Sequence, residues 1–192
     1  MRIIAGSAKG RRLYSPKDRR IRPTSDRVKE ALFNILNGMI GSFSGCHVLD
    51  IYAGTGNLGI EALSRGAVEA VFIDNHRDSV ELVKKNLEMT DFSGRSQVLL
   101  KDSIAALKSL EETERTFRLV FIDPPYHQNL LDKPMYYLAT SSLIDATSLI
   151  ITEFSSKENP GTTFGGLREI DRRIYGDTAL AFFTLQTGEL TS

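Results

Sequence analysis

The sequence predicts an α/β fold built on a seven-stranded, mostly parallel sheet that finishes in an antiparallel hairpin. Short apolar runs alternate with segments of helical periodicity between residues 46 and 154, and a glycine-rich loop follows the first run. Alternation of this kind is typical of right-handed βαβ units with helices on both faces of a sheet. The last two apolar runs are separated by only three residues, which is too short for a parallel crossover and therefore indicates a hairpin.

The 192 residues suffice for one well-buried core, so we expect a single domain over 1–192 with a small basic strand or hairpin extension over 1–23. Thr24 is a capping residue, and the apolar side chains that recur at helical spacing up to Met39 predict the first helix. The other helices are predicted over 57–65, 78–89, 103–110 and 130–139. The strands are predicted over 46–52, 70–74, 96–101, 118–123, 148–154, 168–174 and 178–185.

Basic residues are concentrated at the N-terminus. Residues 1–30 hold ten Lys or Arg against three acids, so this segment carries a formal charge of +7 and the remaining chain −7. A basic extension on an acidic body is typical of proteins that contact a phosphate backbone, because neutralised phosphates release their counterions. The predicted RNA-binding residues are Arg2, Lys9, Arg11, Arg12 and Arg22.

Composition excludes several other classes of protein. No apolar run approaches the roughly 18 residues of a membrane span, and the N-terminus lacks a signal-like stretch, so we expect a cytoplasmic protein without a membrane partner. The single cysteine, Cys46, opens an apolar run and is expected in the core. With only three histidines beside it, the chain offers no zinc-ligand spacing, and we expect no metal site and a monomer.

The run from Val48 to Gly59, Val-Leu-Asp-Ile-Tyr-Ala-Gly-Thr-Gly-Asn-Leu-Gly, contains a GxGxxG pattern, and Asp74 lies twenty residues beyond Gly54. Alone, this pattern fits an NAD-binding fold. Asp50 favours a different cofactor, because an acid at the end of the first strand suits a ligand with a cationic amino-acid end. S-adenosylmethionine (SAM) is such a ligand, and a terminal antiparallel hairpin is the arrangement of SAM-dependent methyltransferases.

In this interpretation Gly54 and Gly56 let the backbone approach the methionine part of SAM, and Asp50 lies near its ammonium group. Asp74 accepts both ribose hydroxyls, while Asp102 and Ser103 meet the adenine edge, although Asp102 is equally suited to cap a helix. The predicted cofactor-binding residues are Asp50, Ala53, Gly54, Thr55, Gly56, Asp74, Asn75, Asp102 and Ser103.

Residues 118–126, Arg-Leu-Val-Phe-Ile-Asp-Pro-Pro-Tyr, form an apolar run that stops at an acid, two prolines and a tyrosine. An ordinary strand-ending turn would explain the prolines, but the chemistry of amine methylation explains all four residues. An exocyclic amine of a base is a poor nucleophile because its lone pair is delocalised into the ring. Asp123 and the Pro124 carbonyl would accept hydrogen bonds from its N–H groups and turn the lone pair toward the methyl group, while Tyr126 stacks on the base.

Over nearly its whole length the chain resembles the bacterial 16S rRNA guanine-N2 methyltransferases, within the wider class of Asp/Asn-Pro-Pro-Tyr amino-methyltransferases. The matching segments are residues 1–6, 10–13, 22–24, 27–36, 50–56, 58–67 and 123–126. The resemblance implies a Rossmann-like class I SAM-dependent methyltransferase fold, guanine N2 as the acceptor, and the assembled or assembling small ribosomal subunit as the substrate. Two departures, Tyr52 for Phe and Asp74 for Glu, preserve this chemistry.

Three alternatives remain open at this point. In the first, the methyl acceptor is another exocyclic amine, such as adenine N6 of RNA or DNA or a protein glutamine amide; enzymes of that kind often carry Asn in place of Asp123. In the second, the chain is a non-catalytic RNA-binding module, an alternative that the presence of Asp123 and the loop glycines disfavours. An NAD-dependent reductase is disfavoured by Asp50 and by the terminal hairpin.

Overall fold

The computed structural model describes residues 1–15, 26–125 and 130–186. Arg22 and Tyr126, both predicted site residues, lie outside this part of the chain. The helices are α1 (Asp26–Ile40), α2 (Asn57–Ser64), α3 (Arg77–Thr90), α4 (Ser103–Glu111) and α5 (Asp132–Leu138). The strands are β1 (His47–Ile51), β2 (Glu69–Asp74), β3 (Ser96–Leu100), β4 (Leu119–Ile122), β5 (Leu149–Ser155), β6 (Thr163–Phe164), β7 (Leu167–Tyr175) and β8 (Thr178–Leu185).

Within the described residues the strands form one eight-stranded sheet in the order β3-β2-β1-β4-β5-β8-β7-β6. Strands β1 to β5 pair in parallel, and β8, β7 and β6 pair antiparallel. The seven predicted strands are confirmed to within one residue at each end. The predicted count of seven is wrong, because β6 also pairs with β7. A strand of only two residues has too little alternation to be recognised in a sequence.

The sheet separates two apolar cores. Helices α1, α2 and α3 cover one face, with Phe33, Leu63 and Val83 among the fully buried side chains. Helices α4 and α5 cover the other face, with Leu107 and Met135 buried there. The central strand β4 is buried on both faces, which explains why its residues form a continuous apolar run rather than an alternating one. Among the described residues no helix is long and apolar enough to cross a membrane.

The parallel register brings distant segments to one edge of the sheet. Ile51 at the end of β1 pairs with Ile73 on β2 and Ile122 on β4, and Ile122 pairs in turn with Thr152 on β5. The loops that follow β1, β2 and β4 therefore start side by side at the carboxyl edge. Open α/β sheets bind ligands at this edge.

The N-terminal residues form a narrow antiparallel pair. Arg2 and Arg12 form a β-bridge, and the Ile3 amide donates to the Arg11 carbonyl at 2.9 Å. Ile3, Ala8 and Leu13 are buried, so this segment packs on the body of the protein. The remainder of the predicted extension, residues 16–23, lies outside the described residues.

Candidate active site and nucleic-acid interface

The glycine loop between β1 and α2 turns through left-handed backbone conformations. Tyr52, Gly54 and Gly56 have φ of 64°, 56° and 74°. A Cβ on Gly56 would meet Ile60 Cδ1 at 3.1 Å, and a Cβ on Gly59 would meet Phe72 Cε1 at 2.4 Å. Packing of α2 on the sheet therefore requires glycine at position 59, and the left-handed φ together with tight packing favours it at position 56, whatever ligand lies above the loop.

Asp50 is buried beneath this loop, with 2% of its surface exposed. Its Oδ2 accepts a hydrogen bond from the Gly59 amide at 2.9 Å, in the first turn of α2. Burial raises the pKa of Asp50 to about 7, against the opposing effect of the Gly59 hydrogen bond and with a smaller contribution from the charge of Asp74. Asp50 therefore exchanges its proton near neutral pH, and its predicted place beside the SAM ammonium remains a prediction.

Asp74 at the end of β2 holds the turn above it. Its Oδ2 accepts from the Gly54 amide and its Oδ1 from the His76 amide, both at 2.9 Å. Each carboxylate oxygen can accept a further hydrogen bond, so both remain capable of binding a ribose hydroxyl. Asn75 is exposed next to it.

Asp102 has the geometry of a helix cap. It is exposed, and its Oδ1 accepts from the amides of Ile104 and Ala105 at 3.0 and 3.3 Å, at the start of α4. The capping role that the sequence left open is thus present, and contact with adenine stays a prediction. Ser103 is buried, and its Oγ lies 3.2 Å from the hydroxyl of Tyr52.

Tyr52 is not among the residues that the sequence assigns to the site, yet it joins three loops of the carboxyl edge. Besides its contact with Ser103, its hydroxyl donates to the Leu130 carbonyl at 3.0 Å, beyond the end of β4. Tyr52 is one of three non-glycine residues with positive φ among the described residues, and it lies within the motif, but only the tertiary structure identifies its partners.

Asp123 follows β4 and is half-buried, and Pro124 beside it is buried. Burial raises the pKa of Asp123 well above its ordinary value, and the negative charges of Glu153 and Asp50 raise it further. Glu153 is 5% exposed and lies on β5, one position beyond the Thr152 that pairs with Ile122. Sequence reasoning missed Glu153. The available signal was an acid inside an otherwise apolar strand, Leu-Ile-Ile-Thr-Glu-Phe-Ser.

The basic N-terminal segment is anchored through a buried ion pair. Glu61 on α2 accepts from the Ile4 and Ala5 amides at 2.8 and 3.0 Å, and its Oε2 lies 3.2 Å from Lys29 Nζ. Lys29 also donates to the Arg2 carbonyl at 2.6 Å. Both ionic side chains are fully buried. The anchor fixes the backbone of the segment and leaves its basic side chains at the surface.

The predicted RNA-binding side chains within this segment are all exposed. Arg2 pairs with Asp26 at 3.1 Å, and Arg11 pairs with Asp91 at 3.1 Å and donates to the Met89 carbonyl at 2.6 Å. Exposed ion pairs are worth little, so a phosphate can replace either carboxylate. Lys9 and Arg12 lie on the same segment, and Arg22 lies outside the described residues.

The pKa of Asp50 gives a prediction for cofactor binding. A cationic ligand favours the ionised carboxylate, so binding of SAM near Asp50 would lower its pKa from about 7 and release a proton. We expect SAM affinity to rise between pH 5.5 and 7, by at most about tenfold per pH unit. Asp50→Asn should bind SAM more weakly and without this rise. Calorimetry in two buffers of different ionisation enthalpy measures both the SAM affinity and the number of protons released on binding. If SAM affinity depends on pH equally in the wild-type protein and in Asp50→Asn, Asp50 does not contact the cofactor.

The sequence of this chain is similar to those of several known proteins. The Bacillus subtilis protein YlbH is 36% identical over 184 residues, which cover 95% of this chain and 98% of the relative. The "Ribosomal RNA small subunit methyltransferase D" of Haemophilus influenzae is 38% identical over 83% of this chain and 81% of its own length. The protein of the same name in Escherichia coli K12 is 36% identical over 83% of this chain and 76% of its own length.

Solved structures show the same architecture. The yhhF protein of Escherichia coli aligns with a TM-score of 0.81 and 29% identity over 98% of this chain and 99% of its own. The protein TTHA0928 of Thermus thermophilus aligns with a TM-score of 0.80 and 28% identity over 95% and 98%. The predicted class I methyltransferase fold is confirmed. A family model described as conserved hypothetical protein 95 matches residues 1–184, and the chain belongs to this family.

Proposed function

We propose that this protein transfers a methyl group from SAM to the exocyclic N2 amine of a guanine in the 16S rRNA of the small ribosomal subunit. The observation that carries the proposal is the adjacency of two loops: the pairing of β1 with β4 sets the glycine loop beside the Asp123-Pro124 turn. Transfer of a methyl group to ribosomal RNA is further supported by the relatives named as small-subunit rRNA methyltransferases. Guanine N2 is the finer part of the proposal and rests on the family resemblance.

The described residues fit SAM. For a Cβ built on Gly54, the nearest atom beyond its chain neighbours is the Tyr52 carbonyl oxygen at 3.9 Å. The protein therefore leaves open the space that a side chain at this position would fill. Asp74 beside it offers two carboxylate oxygens for the ribose, and the proposal assigns Ser103 to the adenine. When bound, SAM supplies an electrophilic methyl group on a sulfonium sulfur.

The residues of the β4 turn act on the acceptor. The Asp123 carboxylate and the Pro124 carbonyl oxygen accept hydrogen bonds from the two N–H groups of the amine and thereby turn its lone pair toward the methyl group. Most of the rate enhancement then comes from orientation and proximity. The raised pKa of Asp123 suits it to take up the proton that the amine loses on methylation. Stacking of the base on Tyr126 remains part of the proposal.

The experiment that tests this function uses labelled SAM and small subunits that lack the modification. After incubation the RNA is digested to nucleosides, and the label is expected in N2-methylguanosine at one position. Label in N6-methyladenosine or in protein glutamine would replace the acceptor with one of the alternatives. Tight binding of NADH without binding of SAM would overturn the proposal as a whole.

Charge reversal at the N-terminus tests the RNA interface. Lys9→Glu combined with Arg12→Glu is expected to weaken RNA binding and to lower the slope of log affinity against log salt, by about one unit for each phosphate that the variant no longer binds. SAM affinity should stay unchanged, because these side chains lie at the surface. Lys108→Glu on α4 is the matched control, since α4 covers the opposite face of the sheet from the N-terminal segment. Equal slopes in all three proteins would remove the N-terminal segment from the interface.

A further inference from the structure

A cleft of about 310 Å³ opens beside the Asp123-Pro124 turn. Pro124 and Pro125 line one side, and the loop after β5, residues 158–161, lines the other. Phe154 and Leu131 add apolar surface. Asp132, Glu158 and Asn159 are the polar residues of its lining. The volume is at the small end of ligand pockets, and a cleft lined by both proline and polar side chains can hold a single planar base and bind its polar edge.

Arg172 on β7 fixes the loop wall of this cleft. Its guanidinium lies 5.2 Å from the centroid of the Phe154 ring and is held by Glu169 at 2.9 and 2.6 Å. From there Nη1 donates to Asn159 Oδ1 at 3.2 Å and Nη2 to the Pro160 carbonyl at 3.5 Å. The side chain of Asn159 is therefore oriented by a neighbouring strand, although it lies on a loop.

This contact also decides which end of the Asn159 amide is left for a ligand. A guanidinium has donors only, so the Asn159 oxygen faces Arg172 and the NH₂ group points away from it. The group that Asn159 can offer in the cleft is thus a hydrogen-bond donor. Guanine carries an acceptor, O6, on the same edge as its N2 amine, whereas adenine carries a donor at position 6.

We propose that this cleft is the acceptor-base site and that Asn159 is a specificity-determining residue, whose NH₂ group donates to O6 of a guanine with its N2 amine at the Asp123-Pro124 turn. The inference rests on the proposed function and adds the basis of base selection. Asn159 is exposed in the free protein, and a base bound in the cleft would cover its NH₂ group. A base with an amino group at position 6 would then place two donors against each other and leave both unpaired away from water, which costs binding energy.

The test uses small subunits reconstituted with 16S RNA that carries either guanine or 2,6-diaminopurine at the methylated position. Both bases have the 2-amine. They differ at position 6, where guanine has an acceptor and diaminopurine a donor, and at N1, where guanine carries a hydrogen and diaminopurine a lone pair, so the comparison of the Asn159 variants with the wild type isolates position 6. The wild-type protein is expected to prefer guanine by about 10- to 100-fold in kcat/KM. Asn159→Asp replaces the donor with an acceptor that still pairs with Arg172, and should reverse the preference. Asn159→Ala should bring the two substrates to within about threefold of each other.

Asn34→Asp, at an exposed position on α1, is the matched control and should keep the wild-type preference. If all variants prefer guanine equally, the assignment of Asn159 is wrong while the proposed function stands. If the wild-type protein does not methylate the 2-amine of guanine in either the native or the reconstituted subunits, the proposed function itself is wrong.

Discussion

Asp123→Ala is expected to lower the rate of methyl transfer by about 10²- to 10³-fold. Asp123 acts on the acceptor amine, and its hydrogen bond matters most when the nitrogen turns toward the methyl group. Loss of an interaction made mainly in the transition state lowers kcat and leaves the affinity for RNA and SAM nearly unchanged. Single-turnover methylation of small subunits at saturating SAM measures the effect directly.

Asp123→Asn separates the two roles of this carboxyl group. An amide oxygen still accepts one hydrogen bond but cannot take up a proton. Activity in the Asn variant without activity in the Ala variant would assign an orienting role, and loss in both is consistent with proton uptake as well. The control is Asp78→Ala, an exposed carboxylate on α3. Full activity of Asp123→Ala would refute the proposed mechanism.

Glu61→Ala is expected to lower the free energy of unfolding by about 3–5 kcal/mol, because it leaves the ammonium of Lys29 buried without its counter-ion. Both side chains are fully buried, and burial already lowers the pKa of Lys29 while the charge of Glu61 raises it. The variant also strands the amides of Ile4 and Ala5, which Glu61 binds. The N-terminal segment should therefore detach more readily from α2.

Urea unfolding followed by circular dichroism measures this loss of stability. Glu81→Ala is the control, since Glu81 forms an exposed pair with Lys84 at 3.2 Å and its removal should change stability by no more than about 0.5 kcal/mol. Amide exchange at Ile4 and Ala5 reports the N-terminal segment separately. Equal stabilities of the two variants would show that the buried pair contributes no more than a surface pair.

Local patterns in the sequence determined the secondary structure of this protein and two of its motifs. The strands, the helices and the terminal hairpin follow from hydrophobic periodicity and turn length, which depend on residues close together in the chain. The glycine loop and the Asp123-Pro124-Pro125 turn could also be predicted from the sequence, because glycine frees the backbone and proline restricts it at their own positions. The two-residue strand β6 was not predicted, since a strand this short has no periodic pattern in the sequence.

Only the tertiary structure decided the state of the charged groups. Residues far apart in the chain bury Asp50. They also bring Glu153 close to Asp123 and pair Lys29 with Glu61. That Asp102 caps α4 was likewise decided by the folded backbone. Strand register sets which side chains meet, and desolvation sets which of them keep their charge, and both are fixed by the packing of the whole domain rather than by any local run of residues.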